Sequence, residues 1–331
     1  MENRRIRLLI ALSGGKDSTY AAIKQYYEKD EHGNRKYDLV GVTMKTWDYA
    51  TTCSTNRSKN KETGCCNHNA INDAREVAVK LGIPYMVKDC VKDFEKRVIT
   101  PFVNEYLAGR TPNPCLHCNT GPKTDELLQT ADELGCDYLV TGHYAQIKKE
   151  HGRYVLHKSK DLKKDQTYAL WGLSQQTLSR MIFPLGHLTK DEVCTKLKAH
   201  GYDNFAKKPE SYEICFIPDN DYRGFLKRRD PSLEARVKGG EFILENGEVV
   251  GHHEGYPFYT VGQRRGLNLQ LGYSVYVTSI NKEKNQITVG PFDALKRDGM
   301  YVHQLNMGKV ARIEGEMEVI VKVRYNDKGH P

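Results

Sequence analysis

The stretch Ile6 to Ser18, I-R-L-L-I-A-L-S-G-G-K-D-S, constrains this chain more than any other, because a short apolar strand runs straight into a glycine pair and a helix-start signal. Gly14 and Gly15 carry no Cβ, so the backbone there can take positive φ and present successive N–H groups to an anion. Ser13, Asp17 and Ser18 place short polar side chains where the helix expected over Thr19 to Tyr27 still has unpaired N–H donors and the positive end of its dipole. A chain that opens in this way is committed to a strand–turn–helix unit with an anion at the turn.

The loop has neither the G-x-G-x-x-G span of a dinucleotide fingerprint nor the G-x-x-x-x-G-K-[ST] spacing of a Walker loop. S-G-G-x-D-S directly after a first strand resembles instead the pyrophosphate loop of ATPases that cleave ATP between its α and β phosphates and activate a carbonyl oxygen by adenylation. The plainer reading is a strand-to-helix turn with glycines for tight packing. Lys16 occupies a position that is usually small and apolar in those enzymes, and either adds a phosphate contact or points at solvent.

The first half of the chain alternates apolar runs with helical patterns. Ile6 to Leu12, Asp38 to Lys45, Pro84 to Asp89 and Asp137 to Tyr144 read as strands. Between them, helices are expected over Ser18 to Tyr27, Asn69 to Leu81, Val91 to Ala108 and Lys123 to Leu134, the last three closed by Gly82, Gly109 and Gly135. This is the pattern of a parallel α/β sheet, whose ligand sits at the carboxyl ends of the strands, where Ser13 to Ser18, Met44 and the Thr141-Gly142-His143 turn emerge. Thr51 to Thr63 reads as a polar insertion. The α/β pattern continues through Leu178 to Gly201 and gives way near Ser211. From Tyr222 onward turns and strands dominate: Glu241 to Val250 holds Asn246-Gly247 between apolar runs, Ser274 to Ile280 and Gln286 to Val289 make a second hairpin, and Val302 to Lys309 with Glu318 to Arg324 read as barrel or sandwich strands.

A chain of 331 residues has room for about two or three domains. The apolar run Leu8 to Leu12 is too short for a signal-peptide core or a spanning helix, so the expected location is the cytoplasm, with no membrane partner. A formal charge of +8 favours an anionic partner, and basic clusters at Lys158 to Lys164, Lys207 and Lys208, Lys227 to Arg229, and Arg264 and Arg265 form a nucleic-acid footprint if they share a face. Nine cysteines in a chain without a secretory segment argue against a disulfide framework and for chemistry or metal binding.

Two cysteine sites stand apart. T-P-N-P-C-L-H-C-N places Cys115 and Cys118 behind two prolines that lead into a loop, and S-Y-E-I-C-F-I-P places Cys215 on a short segment closed by Pro218. A C-x-x-C pair serves metal binding or redox chemistry, and a second pair at zinc-finger spacing is missing. Cys53, Cys65 and Cys66 with His68 read as buried thiols or, less simply, a metal site. Cys90, Cys136 and Cys194 read as core. Trp47 and Trp171 read as packing residues, His252 and His253 as surface residues.

With A-L-S-G-G-K-D-S (Ala11 to Ser18), G-R-T-P-N-P-C-L-H-C-N (Gly109 to Asn119), T-G-H-Y (Thr141 to Tyr144), K-D-Q-T-Y (Lys164 to Tyr168), I-C-F-I (Ile214 to Ile217), G-Q-R-R-G-L (Gly262 to Leu267) and V-R-Y (Val323 to Tyr325) in that order, the chain resembles the tRNA-specific 2-thiouridylases over nearly its whole length. The resemblance implies an α/β protein with an N-terminal pyrophosphate-loop domain of the adenine-nucleotide α-hydrolase type (1–221), a small mostly-β central domain (222–292) and a truncated C-terminal β-barrel (293–331). It implies ATP with Mg²⁺ on Ala11, Leu12, Ser13, Gly14, Gly15, Lys16, Asp17, Ser18, Met44 and Gly142, and the target base against Asn113, Pro114 and Cys115. Cys118 would be the nucleophile, and Cys215 would carry sulfur as a persulfide from a donor protein. His143, Lys164, Asp165, Gln166, Arg324 and Tyr325 would meet tRNA of the Lys, Glu and Gln acceptors. Cys115 stands where many members carry an aspartate, which opens an alternative: Cys115, Cys118 and Cys215 holding a [4Fe–4S] cluster whose open iron delivers sulfide. Two further alternatives are an adenylating amidase and, in another class, a nucleotide-regulated RNA-binding or iron–sulfur scaffold protein.

Overall fold

The computed structural model describes residues 4–47, 68–210, 214–325 and 327–330, and the chain divides into two units. The expected insertion at Thr51 to Thr63, with Cys53, Cys65 and Cys66, lies outside the described residues, as does the Ser211 to Glu213 start of the Cys215 segment.

The first unit comprises Met1–Phe94, Cys115–Cys215 and Leu305–Pro331. Its centre is a five-stranded sheet of β1 (Ile6–Ala11), β2 (Tyr37–Lys45), β3 (Tyr85–Asp89), β4 (Tyr138–Val140) and β7 (Met181–Ile182), in the order β3-β2-β1-β4-β7 with every pairing parallel. Leu8, Leu9 and Ile10 of β1 are each fully buried because helices cover both faces, which is why this strand reads as an unbroken apolar run. Leu8 and Ile10 enter the core under α1 (Lys16–Tyr27), α2 (His68–Leu81), α8 (Lys190–Ala199) and α9 (Asp203–Lys207). Leu9 enters the opposite core with Val40, Val42, Leu127 and Leu139, under α6 (Pro122–Glu133) and α7 (Gln175–Ser179). Strand order reverses at β1, whose neighbours β2 and β4 lie on either side, so the loops after β1 and β4 part there and leave a crevice at their carboxyl ends.

The expected helix over Val91 to Ala108 forms as three pieces: α3 (Val91–Phe94), a π stretch at Glu95–Ile99 and α4 (Thr100–Leu107). Pro101 in the first turn of α4 has no N–H to return to the preceding turn, and the π geometry absorbs that lost bond. A hairpin of β5 (Gln146–Glu150) and β6 (Arg153–His157) joins the unit without having been expected. Its two-residue turn is His151-Gly152, both at positive φ (48° and 80°), the geometry that matches strand twist.

The second unit comprises Glu95–Pro114 and Phe216–Gln304. It holds a four-stranded sheet of β8 (Gly240–Ile243), β9 (Val249–His253), β10 (Tyr276–Asn281) and β11 (Gln286–Gly290) in the order β10-β11-β8-β9. Both expected hairpins are present, and Gly247 takes φ 87° in the turn of the first. Phe102 of α4 packs edge-on against Phe216 and Phe225, the latter on α10 (Tyr222–Arg229), which α11 (Leu233–Val237) follows.

Several expectations fail. Val302 to Lys309 and Glu318 to Arg324 form no strands among the described residues. A strand exists only where a partner completes its ladder, and apart from a single Val321–His330 bridge no partner runs beside them. Trp171 is half exposed instead of packed, and His253 is buried, at 6% exposure, between Phe242 and Tyr259. Cys115 and Cys118 lie on a helix, α5 (Pro114–Thr120), and not in a loop, since a proline at the first helical position has no N–H to lose.

Candidate active site

The turn between β1 and α1 is built by its own short side chains. Ser18 Oγ accepts the Ser13 N–H at 3.1 Å, lies 3.0 Å from Ser13 Oγ and donates to the Gly15 carbonyl at 3.1 Å, while Thr19 Oγ1 donates to the same carbonyl at 2.9 Å. Gly14 sits at φ 71°, and a Cβ there would lie 2.3 Å from the Ala70 carbonyl oxygen, so glycine is required twice over. Gly15 caps α1 without a side-chain bond, which leaves the first N–H groups of the helix for a ligand.

Gly142, just after β4, presses on this turn. A Cβ on it would come within 2.8 Å of Asp17 C and Ser18 N. Thr43 Oγ1 donates to the Leu12 carbonyl at 2.7 Å and so ties the end of β2, where Met44 is half-buried, to the end of β1. Ala11 to Ser18, Met44 and Gly142, widely spaced in sequence, therefore meet at the carboxyl end of the sheet.

Two lysines that sequence reasoning did not assign to this site complete it. Lys190 Nζ lies 2.8 and 2.7 Å from the two Asp17 oxygens and 3.1 Å from Glu210 Oε1, and Glu210 Oε2 receives Lys164 at 2.5 Å. Lys208 Nζ donates to the Gly14 carbonyl at 3.0 Å and pairs with Asp73. The Tyr144 hydroxyl donates to Asp17 Oδ1 at 3.0 Å, and burial together with the Asp17 charge pushes its pKa up. Thr189-Lys190-Asp191-Glu192 was legible as a capping box, S/T-x-x-E, but nothing in it says that the lysine turns inward. A magnesium ion on a triphosphate takes one or two carboxylates besides the phosphates, and the Asp17 carboxylate at this turn fits that requirement.

The turn after β4 is held from below. Gln166 Oε1 accepts the Tyr144 N–H at 2.9 Å and its own N–H donates to the Tyr144 carbonyl at 2.9 Å. Asp165 accepts from Ser159 N–H at 2.8 Å and Thr167 Oγ1 at 2.5 Å. Both side chains, expected at tRNA, thus have structural partners. His143 Nδ1 is 2.7 Å from Thr141 Oγ1, its ring meets Phe183 edge-on, and desolvation aided by the Lys123 charge pushes its pKa down to about 3. The imidazole is neutral at physiological pH.

On α5, Pro114 is buried, Cys115 is exposed and Cys118 is half-buried, one turn apart; Asn113 just before the helix is exposed. The Cys115 thiol meets solvent on one side yet is crowded enough by protein that desolvation pushes its pKa up, with Lys123 opposing. Lys123 therefore acts on both Cys115 and His143, a role that its place at the start of a helix did not reveal. Cys215 is half-buried ahead of the buried Phe216 and Ile217. Among the described residues no three His, Cys, Asp or Glu side chains lie close enough to hold a metal ion.

The structure joins two blocks that are far apart in sequence. The Tyr168 hydroxyl donates to the Val323 carbonyl at 3.1 Å and its ring meets Tyr325 edge-on, so exposed Arg324 and Tyr325 lie over Lys163 to Tyr168. A cleft of about 350 Å³ lined by Arg4, Arg5, Arg7 and Arg35 lies at the other end of the sheet, beside the amino ends of β1 and β2, and takes no part in the loop.

Comparison with known proteins places this geometry. Residues 6–219 match the family described as tRNA methyl transferase HUP domain, and residues 225–291 the one described as tRNA methyl transferase PRC-barrel domain. The chain is 56% identical, over 98% of its length and 84% of the relative's, to the tRNA-specific 2-thiouridylase MnmA of Amoebophilus asiaticus. The chain belongs to the tRNA-specific 2-thiouridylase family. Another 2-thiouridylase of the family, from Cytophaga hutchinsonii, is 52% identical over 99% of this chain and 86% of its own, and one from Carboxydothermus hydrogenoformans is 44% identical over 99% and 86%. Among solved structures, the U34-tRNA thiolase NcsA of Methanococcus maripaludis with its [4Fe-4S] cluster aligns at 19% identity and a TM-score of 0.39, over 69% of this chain and 67% of that one. Among the described residues of this 2-thiouridylase, no helix is long and apolar enough to cross a membrane.

Proposed function

We propose that this chain replaces the 2-oxygen of the wobble uridine of tRNA with sulfur, using ATP. The observation that carries the reading is the phosphate turn at Ser13 to Ser18, closed by Gly142 and left open at the start of α1, in a chain of this family.

A urea-like carbonyl is a poor electrophile. Attack of its oxygen on the α-phosphorus of ATP expels pyrophosphate and converts that oxygen into part of an AMP leaving group. Ala11 to Ser18, Met44 and Gly142 hold the nucleotide, and Asp17 is the carboxylate for a magnesium ion, which offsets phosphate charge when bound. Asn113, Pro114 and Cys115 face the base. The outer sulfur of a persulfide on Cys215 forms the bond to C2, and AMP departs with the former oxygen. The Cys118 thiolate then attacks the inner sulfur, the S–S bond breaks, and its electron pair leaves with the thiouridine sulfur. The Cys118–Cys215 disulfide that remains needs an external thiol to reduce it. His143, Lys164, Arg324 and Tyr325 meet the tRNA, Asp165 and Gln166 shape the surface that does so, and a sulfur-donor protein of the cytoplasm recharges Cys215. The substrates are tRNAs of the Lys, Glu and Gln acceptors. The division into a catalytic domain at 1–221, a central domain at 222–292 and a C-terminal domain at 293–331 draws support from the family matches at 6–219 and 225–291.

The test supplies unmodified tRNA, ATP and a persulfide donor to the purified chain and measures 2-thiouridine, AMP and bound iron. Cys118→Ser and Cys215→Ser are expected to lose thiouridine while binding ATP normally. Wild-type-like transfer by either variant removes the thiol assignment, and about four irons per chain with activity tied to them replaces the persulfide by a cluster.

A further inference from the structure

Lys190 is built into the phosphate turn more tightly than its position at the start of a helix suggests. Its side chain is 12% exposed, its ammonium contacts both Asp17 oxygens and Glu210, and it lies 5.6 Å from the centre of the Tyr144 ring. Its main chain is pinned. Thr189 and Glu192 exchange capping-box bonds, at 3.2 Å from Glu192 N–H to Thr189 Oγ1 and 2.7 Å from Thr189 N–H to Glu192 Oε2. The Lys190 N–H itself donates to Asp161 Oδ2 at 3.0 Å. A flexible four-carbon stem on a fixed first turn can redirect its charge without moving the helix.

The charges around it define what it can do. Asp17 stands at the entrance to α1, where a triphosphate bringing several negative charges would be repelled by a bare carboxylate. Magnesium accompanying that triphosphate prefers carboxylate oxygens. The ion and the Lys190 ammonium therefore compete for the same two Asp17 atoms, and the displaced ammonium has the phosphates as its nearest new anions. We propose that Lys190 is a phosphate-binding residue held in reserve: it neutralises Asp17 before nucleotide arrives, yields those oxygens to the incoming magnesium, and turns to the β- and γ-phosphates that depart as pyrophosphate. This rests on the adenylation reading above. Lys208 provides the contrast, because its bond to the Gly14 carbonyl holds the turn itself and so serves every nucleotide alike.

The experiment is calorimetric titration of the full chain with ATP, pyrophosphate and AMP, each with magnesium, for wild type, Lys190→Met, Lys190→Arg and Lys208→Met, with melting curves to confirm folding. Loss of a charge-assisted phosphate contact is expected to weaken ATP and pyrophosphate by about tenfold or more in Lys190→Met. AMP, which lacks both phosphates, should stay within about twofold, and Lys190→Arg should keep most of the ATP affinity. Lys208→Met should weaken AMP and ATP together. Equal loss of AMP and ATP in Lys190→Met, or no loss, overturns the proposal and makes Lys190 a structural ion pair. Should Lys190→Met not fold, Lys190→Gln, which keeps a polar donor beside Asp17 without the charge, is held to the same ATP-to-AMP criterion. A wild-type chain that binds none of the three overturns the adenylation reading itself.

Discussion

Gly142 carries a prediction that belongs to a single residue. Its missing Cβ is what lets the end of β4 lie against the Asp17–Ser18 peptide, and both nearest atoms, at 2.8 Å, are backbone. Gly142→Ala must push the two turns apart, with an expected loss of about 1–3 kcal/mol of stability and ATP affinity lowered by about tenfold. Denaturant melts and ATP titration check it; unchanged affinity would mean that the turns do not act as one cradle. The sequence made this glycine visible because T-G-H-Y is a local motif. Lys123, Lys190 and Lys208 were not visible, because a lysine near a helix end is by default a solvated charge, and only the fold shows which ammonium groups turn inward.

At the scale of elements, the decisive support is the clamp that Gln166 places on the Tyr144 main chain. Gln166→Leu keeps the approximate volume but removes the acceptor of the Tyr144 N–H. An expected cost of about 1–3 kcal/mol follows from leaving that partly buried donor unmet, and the turn carrying Gly142 and His143 loosens. The check is hydrogen exchange at the Tyr144 amide beside ATP affinity: slow exchange retained in the variant refutes the clamp. Elements themselves were unevenly legible. The strands and helices around β1, β2 and β3 followed from apolar runs and glycine stops, since their signals are local. The Gln146–His157 hairpin was missed although His151-Gly152 is a fair turn signal, because its first strand, Q-I-K-K-E, holds one apolar residue against three charged ones. The strands expected beyond Val302 were wrong for the opposite reason: apolar alternation marks a segment able to pair, and pairing needs a neighbour that no local pattern reports.

Across the whole molecule, acid sensitivity follows from a histidine far from the phosphate turn in sequence. His253 Nδ1 accepts the Gly255 N–H at 3.1 Å, which holds the ring in its neutral form, and burial pushes its pKa down to about 4. In the unfolded chain the same group titrates near about 6.5. Between these values the unfolded state binds the extra proton, so stability is full above the upper value and falls as pH drops toward the lower one. The loss reaches at most about 3 kcal/mol. His253→Phe suits the aromatic pocket of Phe242 and Tyr259 and should flatten denaturation midpoints across that window. It should also lower stability at neutral pH by about 1–3 kcal/mol, since Gly255 loses its acceptor. Parallel pH profiles for variant and wild type would refute the assignment.

The sequence by itself determined the parallel α/β unit, the strand–turn–helix at Ser13 to Ser18 and the family, because each rests on residues adjacent in the chain or on motifs in fixed order. Only the tertiary structure decided which ammonium groups neutralise Asp17, that Gln166 and Asp165 accept main-chain N–H groups, that His253 is buried, and that Tyr325 lies on Tyr168. Those outcomes depend on which side chains a folded backbone brings within a few ångströms, and electrostatic and packing energies at that range are set by position in space and not by position in the chain.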